Sequence, residues 1–283
     1  MRIVRTAAEV RAIRPSLGKL GFVPTMGALH DGHMSLVAMA GQHCDAVAAS
    51  IFVNPTQFAP HEDLAKYPRP IEADLARLEA EDVALVFLPT AEEIYPTGFD
   101  TRIEVGKIAE RLEGAVRPGH FSGVATVVAK LFNIMVPDIA FFGQKDVQQT
   151  RVIWQLVRDL NLAVEIKIGP TVREPDGLAL SSRNIYLNAT ERAQSTALFK
   201  GLRAAEEAFA GGVSDAPTLR QLTEAPIRQT AGLIDYVSVA DPDTLAELDR
   251  VGPRGAVLSL AVRFGTTRLL DNVILGGNSV VHA

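Results

Sequence analysis

Cysteine is all but missing from this chain of 283 residues: Cys44 stands alone. A single thiol excludes an intrachain disulfide and any cysteine-based metal cluster, and it reads as a small apolar residue of the interior. Long apolar runs are missing too, since none approaches the roughly 18 residues that span a bilayer. There is no basic block, with 28 Lys and Arg against 33 Asp and Glu for a net charge of −5. That balance argues against a protein whose main task is gripping nucleic acid. Residues 1–6 lack the apolar stretch and small-residue cleavage site of a secretory signal. The sequon-like Asn188-Ala189-Thr190 is discounted accordingly, and a cytoplasmic address is expected. Neither G-x-x-x-x-G-K-S/T nor G-x-G-x-x-G occurs, and there is no G-x-S-x-G elbow or H-E-x-x-H helix. Any phosphate-bearing ligand must therefore be held by other means.

What is present is a globular composition, 47% apolar and free of low-complexity tracts. The length suits one large domain or two ordinary ones. Short apolar strand patterns at 21–23, 46–53, 84–88, 139–142 and 164–168 alternate with helical patterns at 34–40, 71–80, 124–135 and 147–160. Strands that are apolar throughout are covered on both faces, and such alternation implies right-handed crossovers. The expectation is an α/β fold with a Rossmann-like, doubly wound parallel sheet over residues 1–175. Ligands of such sheets lie beyond the carboxyl ends of the strands, where strand order reverses. The pattern then changes, with helices expected at 189–210 and 216–230 and strands at 234–239, 256–262 and 267–275. Residues 176–283 thus read as a smaller α+β C-terminal domain, acting as a lid or closing unit.

Four clusters carry the chemistry. Pro24-Thr25-Met26-Gly27-Ala28-Leu29-His30-Asp31-Gly32-His33 joins a strand to a helix. Histidines three apart share one helical face, Gly32 leaves room near the backbone, and a helix start favours an anion. Gly143-Gln144-Lys145-Asp146 offers a tight turn, a point charge and a capping carboxylate. Leu180-Ser181-Ser182-Arg183-Asn184 places two hydroxyls beside a guanidinium, a set suited to phosphate oxygens. Asn54-Pro55-Thr56-Gln57-Phe58 ends a strand with two amides that suit a small polar substrate. Each has a plainer reading when taken alone: a surface turn, a solvated lysine, an ordinary loop. Asp74 lies on an acidic helix where carboxylates are mostly solvated, and Gln148 and Gln149 read as surface. His43, His61 and His120 lack metal spacing and read as structural or surface residues.

Six segments in one order resemble the pantothenate synthetase (pantoate–β-alanine ligase) family. They are the Pro24–His30 segment, Phe52-Val53-Asn54-Pro55-Thr56-Gln57-Phe58, Arg117-Pro118-Gly119-His120-Phe121, Phe141-Phe142-Gly143-Gln144-Lys145-Asp146, Leu180-Ser181-Ser182-Arg183-Asn184 and Gly265-Thr266-Thr267-Arg268-Leu269. That family sits in a nucleotidyl-transferring superfamily with class I aminoacyl-tRNA synthetases. The resemblance implies ATP and pantoate forming pantoyl adenylate and pyrophosphate, after which β-alanine gives pantothenate and AMP. It assigns ATP to Met26, Gly27, Ala28, Leu29, His30, Asp31, Gly32, His33, Gly143, Gln144, Lys145, Asp146, Val172, Leu180, Ser181, Ser182 and Arg183. His33 is the family's proton donor, with His30, Lys145, Ser182 and Arg183 completing the catalytic set. Gln57 and Gln149 would contact the small substrates, pantoate and β-alanine, and Asp74 would lie near Mg²⁺. Many relatives carry a second carboxylate where this chain has Ala73. A homodimer is implied as well, with no nucleic acid or membrane partner. A different adenylyl transferase and a non-catalytic nucleotide-binding module remain as alternatives.

Overall fold

The structure, a computed structural model, describes residues 1–58 and 64–276. It divides into two compact units, one of Met1–Gly143 with Gln148–Gly169 and the other of Gln144–Val147 with Pro170–Ala283.

The first unit runs β1 (Arg2–Val4), α1 (Ala7–Ile13), β2 (Leu20–Thr25), α2 (Asp31–His43), β3 (Ala46–Ile51), α3 (Ile71–Ala80), β4 (Leu85–Phe87), α4 (Ala91–Ile94), α5 (Glu113–Val116), α6 (His120–Met135), β5 (Ile139–Gly143), α7 (Val147–Asp159) and β6 (Glu165–Gly169). Six strands form one parallel sheet in the order β1-β4-β3-β2-β5-β6. This is a doubly wound sheet. The order reverses between β2 and β5, so its switch point lies where the chain leaves Thr25 and Gly143. Strand β1 escaped the sequence pattern because only Val4 of its three residues is buried; its pairing with β4 creates it. Fully buried Leu20, Phe22, Leu85, Phe87 and Phe141 explain why the central strands show no alternation. Helix α6 begins before its apolar stretch, because Gly119 at φ +82° reverses the chain ahead of His120.

The second unit contains α8 (Ala189–Ser195), α9 (Ala197–Ala210), α10 (Ala216–Ile227) and the strands β7 (Leu233–Ala240), β8 (Ala256–Phe264) and β9 (Thr267–Leu275). The strands form an antiparallel meander in the order β7-β8-β9. The expected single helix over 189–210 is two helices. Ser195 and Thr196 turn their hydroxyls back to the carbonyls of Arg192 and Ala193, which competes with the helical ladder at that point. Leu198, Leu202, Leu219, Leu258, Leu260 and Phe264 build its core. Helices α9 and α10 meet through Gly201, where a Cβ would drive into the Thr223 carbonyl. Gly201→Ala should therefore lower stability by about 1–3 kcal/mol through overpacking. Urea denaturation of the variant checks this, and an unchanged midpoint would refute the close approach.

Candidate functional site

The turn after β2 is held from below by one carboxylate. Gly27 and Ala28 both take positive φ, +82° and +51°, which points consecutive backbone N–H groups the same way. Asp74 on α3, only 1% exposed, receives them: Ala28 N–H and Leu29 N–H each donate to one of its oxygens at 2.8 Å. A Cβ on Gly27 would meet Asp74 Oδ2 at 2.9 Å, so glycine is required there twice over. Asp74 is thus not the solvated carboxylate of the plainer reading. Each of its oxygens accepts one backbone N–H, and no group of three His, Cys, Asp or Glu gathers around a point among the described residues.

The two histidines cap α2 reciprocally. Gly32 N–H donates to His30 Nδ1 at 3.2 Å, and His30 N–H donates to His33 Nδ1 at 3.3 Å. The rings lie 4.2 Å apart between centroids. Since both Nδ1 atoms accept, the proton of each neutral ring resides on Nε2. Two imidazole donors therefore stand at the positive end of a 13-residue helix. Asp31 is mostly exposed and pairs with Arg77 at 3.0 Å, a contact of little energetic weight.

The turn after β3 is more tightly built than its sequence suggested. Asn54 Nδ2 donates to Gln57 Oε1 at 3.2 Å and to the Gly123 carbonyl at 3.1 Å. Its Oδ1 accepts from Tyr95 Oη at 2.8 Å and Thr56 Oγ1 at 2.9 Å. Burial pushes the Tyr95 phenol up, which keeps that donor protonated. Gln57, 9% exposed, directs Nε2 to Met26 Sδ at 3.0 Å, which ties this turn to the one after β2. His120 Nδ1 lies 2.8 Å from the Gln57 carbonyl, and Arg117 bonds both that carbonyl and His120 Nε2. His120, read from sequence as structural or surface, is a support of the Gln57 turn. Gly123 lets α6 approach, since a Cβ there would strike the Thr56 carbonyl. A cavity of about 700 Å³ adjoins this turn, lined by Gln57, Tyr95, Phe99, Arg117 and His120 among others; His30 and His33 are not part of its wall.

Gln148 also departs from its surface reading. It is 3% exposed, accepting from Glu113 N–H and donating to the carbonyls of Ile108 and Arg111. Its neighbour Gln149 is half-buried in the first turn of α7. His43 bonds the Met39 carbonyl at the surface, while His61 lies outside the described residues.

The second unit gathers the other expected residues. Val172 accepts from Leu180 N–H at 3.0 Å, and Arg173 bridges to Ala179, so residues 172–180 form a small hairpin. Ser181 caps the 3-10 turn Ser182–Tyr186 by accepting from Arg183 N–H. The Arg183 guanidinium has no carboxylate partner among the described residues. Arg173 forks onto Asp271 at 2.6 and 2.9 Å, and its guanidinium stacks 4.4 Å from the Phe199 ring centre. Burial pushes the Asp271 carboxyl up while Arg173 pulls it back. Lys145 lies in the turn Gln144–Asp146, its Nζ 3.4 Å from Asp146 Oδ1. The carbonyls of Gln144 and Lys145 accept from Asn272 Nδ2 at 3.0 and 2.9 Å, and Gln144 Nε2 donates to Asn272 Oδ1 at 3.2 Å. Asn272 was not foreseen. Its signal was faint: two adjacent polar residues, Asp271 and Asn272, stand between the apolar pairs Leu269-Leu270 and Val273-Ile274.

A family profile described as pantoate-beta-alanine ligase matches residues 2–274. A pantothenate synthetase of Chloroflexus aurantiacus is 58% identical over 278 residues, covering 98% of this chain and 99% of that protein. Pantothenate synthetase 1 of Bradyrhizobium diazoefficiens is 50% identical, covering 97% and 98% of the two chains. The crystal structure of pantothenate synthetase from Thermus thermophilus superposes with a TM-score of 0.94 at 46% identity, over 98% of this chain and 100% of that one. The pantoate-beta-alanine ligase of Francisella tularensis, described as complexed with beta-gamma ATP and beta-alanine, gives 0.82 at 38% identity over 97% of each chain.

The geometry of Asp74 yields a direct test. Asp74→Asn turns an amide donor onto one of two backbone donors, at a cost of about 1–3 kcal/mol. Calorimetric titration with ATP should show weakened binding by the same factor with and without Mg²⁺. A loss confined to titrations containing Mg²⁺ would instead make Asp74 a ligand of the ion.

Proposed function

The chain belongs to the pantoate–β-alanine ligase family, and from that premise we propose how its own residues divide the reaction. The enzyme joins the carboxylate of pantoate to the amine of β-alanine at the expense of ATP. In the first step the pantoate carboxylate attacks the α-phosphorus, forming pantoyl adenylate as the bond to pyrophosphate breaks. In the second the β-alanine amine attacks the acyl carbon, loses a proton and expels AMP. Neither step needs a protein nucleophile, which suits a chain whose one thiol, Cys44, lies outside every motif.

The demand on the protein is to meet charge as it develops on phosphate oxygens. The observation that carries the assignment is the reciprocal capping of His30 and His33, which places Nε2–H donors at the start of α2. We assign these to the phosphates, with His33 as proton donor. Lys145, Ser182 and Arg183 are assigned as further donors to the phosphates, and the absence of a carboxylate partner for Arg183 among the described residues supports that role. Met26, Gly27, Gly32, Gly143, Gln144, Asp146, Val172, Leu180 and Ser181 shape the nucleotide's surroundings. Ala28 and Leu29 belong to the same turn, but their N–H groups serve Asp74. Gln57 is assigned to pantoate and the incoming amine, and Gln149 to pantoate.

Mg²⁺ would accompany the phosphates of the nucleotide and neutralise their charge, with Asp74 as the nearby carboxylate. A mixed anhydride hydrolyses readily, so water must be kept out between the steps; we assign that task to residues 173–184 with the rest of the C-terminal unit. No helix among the described residues is long and apolar enough to cross a membrane. A homodimer in the cytoplasm completes the proposal.

The test is AMP formation coupled to a spectrophotometric readout, with ATP, Mg²⁺, pantoate and β-alanine all required. His33→Ala should slow turnover by about 10²–10³-fold, the effect of removing one such donor. AMP release that proceeds without pantoate, or a fully active His33→Ala, would overturn the assignment.

A further inference from the structure

Lysine brings a point charge on a flexible stem, so its effect depends on where the backbone starts it. The backbone of Lys145 sits in a three-residue 3-10 turn between a strand and a helix, Gln144–Asp146, whose carbonyls can each accept a second hydrogen bond. Two of those carbonyls, from Gln144 and Lys145, are satisfied by a single side chain, the Asn272 amide. The same amide accepts from Gln144 Nε2, so it spends three hydrogen bonds on two consecutive residues. Asn272 is 1% exposed, and its backbone is fixed in β9 opposite Ser259. Such an amide is a rigid template. Any shift of the turn breaks at least one bond to a group that water cannot reach.

The neighbouring residue repeats the device on another segment. Asp271 binds Arg173 bidentately, and Arg173 lies in the hairpin that leads into Ser181, Ser182 and Arg183. Two successive residues of one strand are therefore bonded to the two stretches that carry the cationic donors of this unit.

We propose that Asn272 is a positioning residue of the ligase reaction, acting on turnover by fixing the backbone from which Lys145 reaches its target. This rests on the reading of Lys145 as a phosphate donor. Asn272 touches no substrate in this account; its whole effect passes through Lys145.

A double-mutant cycle on the full-length enzyme tests this, with pyrophosphate release from ATP and pantoate as the readout. Lys145→Ala should lower kcat by about 10²–10³-fold. Asn272→Ala should lower kcat at least tenfold, leave the KM for pantoate unchanged, and retain a cooperative thermal transition. In the double variant the loss should stay within about threefold of Lys145→Ala alone, since one pathway is removed only once. Losses that multiply in the double variant, or an unimpaired Asn272→Ala, would overturn the proposal. Should Asn272→Ala fail to fold, Asn272→Asp keeps the shape and the contact with Gln144 while losing both donations; the same cycle then applies. Failure of both variants to fold would make the residue structural and defeat the proposal. A fully active Lys145→Ala would show instead that the reading of Lys145 is at fault, and the proposal would fall with it for that separate reason.

Discussion

A buried turn must find partners for its backbone N–H and C=O groups, and in this protein side chains provide them. Asp74 takes two N–H groups of the turn after β2; Asn272 gives two hydrogen bonds to carbonyls of the Lys145 turn; Arg117 and His120 hold the Gln57 carbonyl. The supports come from α3, β9 and the start of α6, each remote in sequence from the turn it steadies. Rigid secondary structure thereby fixes loops that would otherwise be free to sample many shapes. Catalysis by electrostatic positioning depends on that rigidity, because misplaced donors must reorganise before they can stabilise charge.

The same arrangement explains what the sequence displayed and what it hid. The central strands were legible because burial on both faces leaves continuous apolar runs such as Ile139-Ala140-Phe141-Phe142 of β5. Helix α3 and strand β9 fell at their expected limits, 71–80 and 267–275, since their patterns end at clear breaks. Strand β1 was hidden because its stability comes from β4 and not from its own residues. The break at Thr196 was hidden because it depends on hydroxyl geometry rather than on Gly or Pro.

Among candidate site residues, those with a local signature were visible. A histidine pair around Gly32, or serines beside Arg183, announce themselves within a few positions. Residues that act through tertiary contact did not. Nothing near His120 reveals that it faces the carbonyl of Gln57, 63 positions earlier, and Gln148 looks like any polar residue at a helix start. Asp74 carried a misleading signal: its acidic helix suggested a solvated carboxylate, while the side chain is buried and accepts two backbone amides.

The bonds between Asn272 and the Lys145 turn have a consequence for biogenesis. Their partners are 127 and 128 positions apart. A chain made at about 5–20 residues per second emits Lys145 some 6–25 s before the strand that secures it. During that interval the nascent polypeptide already holds the histidine turn and most of the parallel sheet in its translated length. The lysine's backbone, however, has no template. The turn that carries Lys145 thus gains its side-chain support only after β9 has been made.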